Sequence, residues 1–190
     1  MPKVASYYKS IVAEVMKYSQ NRHPASFMGM FDCGRDYVFN LLATVKQVKK
    51  EPLFIPIDLT NTQGIDKKIC AAYAFGMTKK INKSYRFDSF DDLFMGIHTI
   101  CQTDKITLIL QFGDKNDVSI RLLEHIYQWE NLLGDSFNWI IFANYEILHS
   151  PLASQTIFEK VIKTHIIPIR LLETSDSNQV FQNYREYFGP

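Results

Sequence analysis

Five short apolar runs punctuate this chain, at residues 26–31, 53–59, 106–112, 137–143 and 165–172, and most of them are continuous, with no alternation of apolar and polar residues. That feature constrains the fold more than any other. A strand with one wet face alternates, whereas a continuous run belongs to a strand covered on both faces, as in parallel sheets. Parallel neighbours need long crossovers, and segments of helical length and period stand between these runs. Right-handed crossovers then put helices on both faces of the sheet. The expected class is α/β, a three-layer sandwich around a five-stranded, mainly parallel sheet. Pro56 interrupts the second run, and a residue without an N–H belongs at a sheet edge or a bulge.

Val4, Tyr7, Tyr8, Ile11, Val12, Val15 and Met16 recur at three- and four-residue steps, which predicts a helix over 3–19 that Pro24 follows as a stop. Similar spacing predicts helices over 35–49, 65–80, 89–101, 118–133, 154–163 and 177–187. Ser89 and Ser175 suit N-caps, Asp114 and Asp117 suit a turn and an N-cap, and Gly134 suits a stop. Arg22 and His23 read as solvated loop residues. With no internal repeat or linker, one domain is expected over 1–190: a leading helix (1–24), an α/β core (25–172) and a C-terminal helix (173–190).

A net charge of +1 makes no global case for nucleic acid, although Lys67, Lys68, Lys79, Lys80, Lys83 and Arg86 form a local basic cluster. Cys33, Cys70 and Cys101, like the scattered histidines, lack metal-ligand spacing, so no metal site is expected. No signal-peptide core and no apolar run of about 20 residues is present, which predicts a cytoplasmic chain without a membrane partner.

Between the first apolar run and its helix lie Gly29, four further residues, and Gly34-Arg35-Asp36. This is the spacing of a phosphate-binding loop, G-x-x-x-x-G-K-[ST], with Arg35 for the lysine and Asp36 for the hydroxyl residue. Such a loop works by aiming backbone N–H groups and a helix N-terminus at phosphate oxygens. Arg35 keeps the positive charge in a bulkier, planar form. Asp36 suits the helix dipole but repels a triphosphate unless a metal bridges them. Asp32 and Cys33 lie inside the loop, where a helix N-terminus would lower a thiol's pKa. Two readings of the glycines stand side by side: a phosphate cradle, or a tight strand-to-helix turn without a ligand. Gln111 ends the third run where a magnesium-binding aspartate would be expected. Asn144 follows the fourth run, either near a γ-phosphate or as a turn cap.

In this order the elements resemble the core of the AAA+ and related STAND-type P-loop ATPases, replication-initiator and clamp-loader-like members included, over residues 3–188. The resemblance implies strand order 5-1-4-3-2, with the Pro56 strand at the edge. It implies ATP as ligand at Gly29, Asp32, Cys33, Gly34, Arg35 and Asp36, with Asn144 beside it. The Walker lysine, hydroxyl and acidic residues are missing, so magnesium and catalytic residues are not expected. The expected function is a catalytically degenerate interaction or assembly subunit with a protein partner, such as an active ATPase in a hetero-oligomer. The alternatives are an active ATP-dependent enzyme using Arg35 and Asp114, and an accessory factor in DNA replication or repair that uses the lysine cluster.

Overall fold

The apolar runs form parallel strands. A computed structural model describes residues 3–30, 34–44 and 52–169. Strands β1 (Ala25–Gly29), β2 (Leu53–Asp58), β3 (Ile106–Gln111), β4 (Phe137–Asn144) and β5 (Ile166–Ile169) make one sheet in the order β2-β3-β4-β1-β5. Every pairing is parallel, so the implied order holds and the sheet is wholly rather than mainly parallel. Helices α1 (Lys3–Gln20), α2 (Arg35–Thr44), α3 (Asp66–Ile81), α4 (Phe90–Cys101), α5 (Ile120–Leu133) and α6 (Thr156–Val161) cover its faces.

Successive side chains of β4 show why the runs are continuous. Trp139, Ile141 and Ala143 enter a core with Leu108, Leu110 and residues of α3 to α6, among them Tyr73, Leu93 and Trp129. Ile140 and Phe142 enter a second core with Phe27, Ile109 and α1 and α2 residues Val15, Val38 and Leu42. Neither face meets water, so neither tolerates a polar alternation. Pro56 does lie at an edge: among the described residues β2 pairs only with β3. Helix α3 packs on that edge so closely that a Cβ on Gly76 would come within 2.3 Å of the Pro56 carbonyl oxygen.

Local signals place most boundaries. Ser89 caps α4 by accepting from the Asp92 N–H at 3.1 Å, and Gly134 at φ 50° ends α5. The cap of α5 is Ser119, not Asp117. The Asp117 carboxylate instead accepts from the N–H groups of Gln63 (2.9 Å) and Asp114 (3.0 Å), tying two loops together. Arg22 is not a solvated loop residue. It is half-buried, and it donates to the Ile106 carbonyl at 2.9 Å and the Thr107 hydroxyl at 3.2 Å, fastening the end of α1 to the start of β3. Tyr145–His149 and Pro151–Ser154 form two 3-10 turns, and the helix expected over 154–163 is confined to α6. Residues 45–49, the end of the fifth run at 170–172 and the helix expected over 177–187 lie outside the described residues. Among the described residues no helix is long and apolar enough to cross a membrane.

Candidate functional site

Parallel strands in register bring their carboxyl ends to one edge, where ligands of α/β folds bind. Gly29 ends β1 opposite Asn144 of β4 and Ile169 of β5. Asp58 ends β2 opposite Gln111 of β3, which lies opposite Phe142. The residues singled out at these ends in sequence are therefore neighbours in space. Asp32 and Cys33 lie outside the described residues.

Gly34 stands at φ 78°, in the left-handed region, directly before α2. A Cβ there would lie 2.1 Å from the Tyr8 hydroxyl oxygen. The Tyr8 ring comes from α1 and is itself buried, with its centroid 5.0 Å from that of Tyr37 and 5.5 Å from that of Tyr7. Both the turn and the ring thus require glycine at this position. The helical period of α1 pointed to a buried Tyr8 but carried no sign of what it covers.

Arg35 opens α2 with its side chain only 10% exposed. Its Nε lies 3.5 Å from Asp36 Oδ1, and neither Nε nor Nη1 has a hydrogen-bond acceptor among the described residues. Asp36 in turn accepts a hydrogen bond from Gln111 Nε2. The residues standing for the lysine, the hydroxyl and the acidic strand end thus contact one another. Asn144 is engaged as well: its Oδ1 accepts from the Glu146 N–H at 3.1 Å and caps the turn that follows β4. Of the two sequence readings of Asn144, this hydrogen bond is the turn cap.

These side chains line a cleft of about 650 Å³ together with Asp58 and Asp114. Asp58 Oδ1 accepts from the Thr60 N–H at 2.9 Å and the Thr60 hydroxyl at 2.6 Å, and Asp114 Oδ1 accepts from the Asn116 N–H at 2.6 Å. Such turns engage one oxygen of each carboxylate. Among the described residues no group of three or more His, Cys, Asp or Glu side chains could hold a metal ion. The donor set does not suit magnesium, because position 36 offers no hydroxyl and Gln111 is a neutral amide. The two N–H groups of Arg35 suit an anion, while the adjoining carboxylates repel one. A second cavity, of about 720 Å³, lies at the amino ends of β1 and β5 and is lined by Glu14, Lys17, Tyr18, His23 and His165.

The sequence matches no protein-family model and none of the curated proteins. Solved structures are similar in shape. Cdc6p from Pyrobaculum aerophilum aligns over 98% of this chain and 50% of its own, with TM-score 0.63 and 13% identity. The Orc1 protein of Aeropyrum pernix in complex with DNA aligns over 98% and 50%, with TM-score 0.62 and 8% identity. The Drosophila ORC bound to GC-rich DNA and Cdc6 aligns over 96% and 30%, with TM-score 0.54 and 11% identity. The chain thus spans half, or less, of the length of these three proteins. At such identities the likeness shows the fold alone: a P-loop NTPase-like α/β fold with its five-stranded parallel sheet in the order β2-β3-β4-β1-β5.

Proposed function

We propose that this chain is a catalytically degenerate AAA+-like subunit that acts by assembling with a protein partner, such as an active ATPase, in a complex of the kind that handles DNA at replication. One observation carries this: Arg35, Asp36 and Gln111 engage each other where lysine, hydroxyl and acid would engage nucleotide and metal. Phosphoryl transfer depends almost wholly on positioned positive charge around the transferring group. Here Arg35, the one cation among the described residues of the cleft, is set against a carboxylate, and an amide stands where an acid would hold magnesium. The similarity to Cdc6 and ORC structures supports the assembly setting. In a phosphate-release assay with magnesium and ATP the protein is expected to stay at the buffer rate, and Arg35→Ala to match it. Release above that rate, abolished by Arg35→Ala, would overturn the proposal in favour of an ATP-dependent enzyme.

A second reading, contact with DNA, draws on α3. Lys67, Lys68, Phe75 and Lys79 are exposed along this helix and Lys83 just beyond it, and the Lys79 ammonium stands 5.4 Å from the Phe75 ring centroid. Cations interleaved with an exposed aromatic suit a phosphate backbone. Binding to duplex DNA should then weaken with salt, and Lys67→Ala with Lys79→Ala should flatten the log–log slope by about 2. An unchanged slope would remove α3 from the contact.

A further inference from the structure

The cleft at the carboxyl ends of the strands has a charge its chain does not share. Among the described residues, Asp36, Asp58, Asp114, Asp117 and Glu146 line it with one cation, Arg35, in a protein of net charge +1. Asp117 is buried and held by two backbone N–H groups, so it serves the loops. Asp36, Asp114 and Glu146 are exposed and keep oxygens toward solvent. The Asp36 side chain is 72% exposed.

Arg35 supplies an independent observation. Nine-tenths of its side chain is buried, it lines the same cleft, and its Nη1 has no hydrogen-bond acceptor among the described residues. A buried guanidinium N–H calls for an oxygen. The cleft therefore asks for positive charge at its rim and an oxygen acceptor at its floor. A phosphate alone satisfies the floor and is repelled by the rim. A metal ion alone would satisfy the rim, but no suitable ligand group exists there among the described residues. A basic stretch of polypeptide satisfies both, since its side chains carry cations and its main chain carries carbonyl oxygens.

We propose that the cleft is a docking site for a basic segment of a protein partner, whose Lys or Arg side chains pair with Asp36, Asp114 and Glu146 while a main-chain carbonyl accepts from Arg35 Nη1. The docking site rests on the assembly reading given above and names its contact.

The test uses the full chain and two fluorescein-labelled peptides of equal length, one alternating arginine with glycine and one alternating glutamate with glycine. By fluorescence anisotropy at low salt the arginine peptide binds and the glutamate peptide does not. Asp114→Asn with Glu146→Gln weakens the arginine peptide about tenfold, each exposed pair supplying a few-fold. Asparagine at 114 keeps the oxygen that caps Asn116, and a thermal melt confirms folding of the variant. Arg35→Lys, which keeps the charge but removes Nη1, weakens binding about threefold, the scale of one hydrogen bond. Glu14→Gln, at the other end of the sheet, changes nothing. Equal affinity in the Asp114/Glu146 variant, or no arginine-peptide binding while nucleotide also fails to bind, overturns the docking site and leaves the assembly reading standing. Displacement of the peptide by magnesium-ATP that is itself hydrolysed overturns both.

Discussion

Replacing Arg35 by Lys, Asp36 by Thr and Gln111 by Asp together is expected to make the melting temperature depend on magnesium-ATP, whereas the parent protein shows no such dependence. Gly29 and Gly34 keep the strand-to-helix bend, with Gly34 already at φ 78°. What the site lacks is a compact cation, a hydroxyl and a carboxylate at the end of β3. The three changes supply all of them and remove Asp36, which accepts from Gln111 and opposes Arg35. At a nucleotide concentration about a hundred times Kd, binding to the native state alone adds about 2.7 kcal/mol. For a chain of this size that corresponds to a rise of about 5–10 °C. Arg35→Lys alone should give none of it, because Asp36 still opposes the phosphates. The measurement is a thermal melt with and without magnesium-ATP. A rise in the parent protein equal to that in the triple variant would show that the existing residues already hold nucleotide.

Phe27→Ala is expected to lower stability by about 3–5 kcal/mol, the range for removing a fully buried aromatic ring. Phe27 has no exposed surface, sits in the interior strand β1 between β4 and β5, and is stacked on Phe142 with centroids 5.4 Å apart and edge-on to Tyr18 at 6.1 Å. Its removal opens a cavity among β1, β4 and α1 that packed neighbours fill only in part. In urea the midpoint should fall with the slope unchanged, and the melting temperature should drop by about 10 °C or more. Phe75→Ala is the matched control: Phe75 is 67% exposed and its loss should stay within about 0.5 kcal/mol. Equal losses at the two positions would contradict the placement of the core.

The architecture was legible because each of its signals is local. A continuous run such as 106–112 reports burial on both faces wherever the strand ends up. Pro56 reports an edge because it cannot donate to a second neighbour, and β2 has none among the described residues. Asn144 at the end of β4 was legible for the same reason. Capping was less so: Asp117 has the chemistry of an N-cap, yet Ser119 two residues on takes the role, and the choice depended on loops meeting from elsewhere. Arg22 likewise looked like a solvated loop residue until the start of β3 gave its guanidinium two acceptors.

By itself the sequence determined a parallel, helix-covered sheet with a glycine-bounded bend after its first strand, since burial period, turn chemistry and the absence of a side chain act within a few residues. It also placed Arg35, Asp36 and Gln111 where a phosphate-binding loop and its partner strand would carry lysine, hydroxyl and acid. Only the tertiary structure decided that these three meet. Asp36 and Gln111 are 75 residues apart, with β2, α3 and α4 between them in the chain, and meet because α2 begins at the carboxyl edge of the sheet where β3 ends. Tyr8 reaches Gly34 because α1 and α2 share one face of the sheet. Such pairings depend on where crossovers return, and no local pattern of residues encodes that.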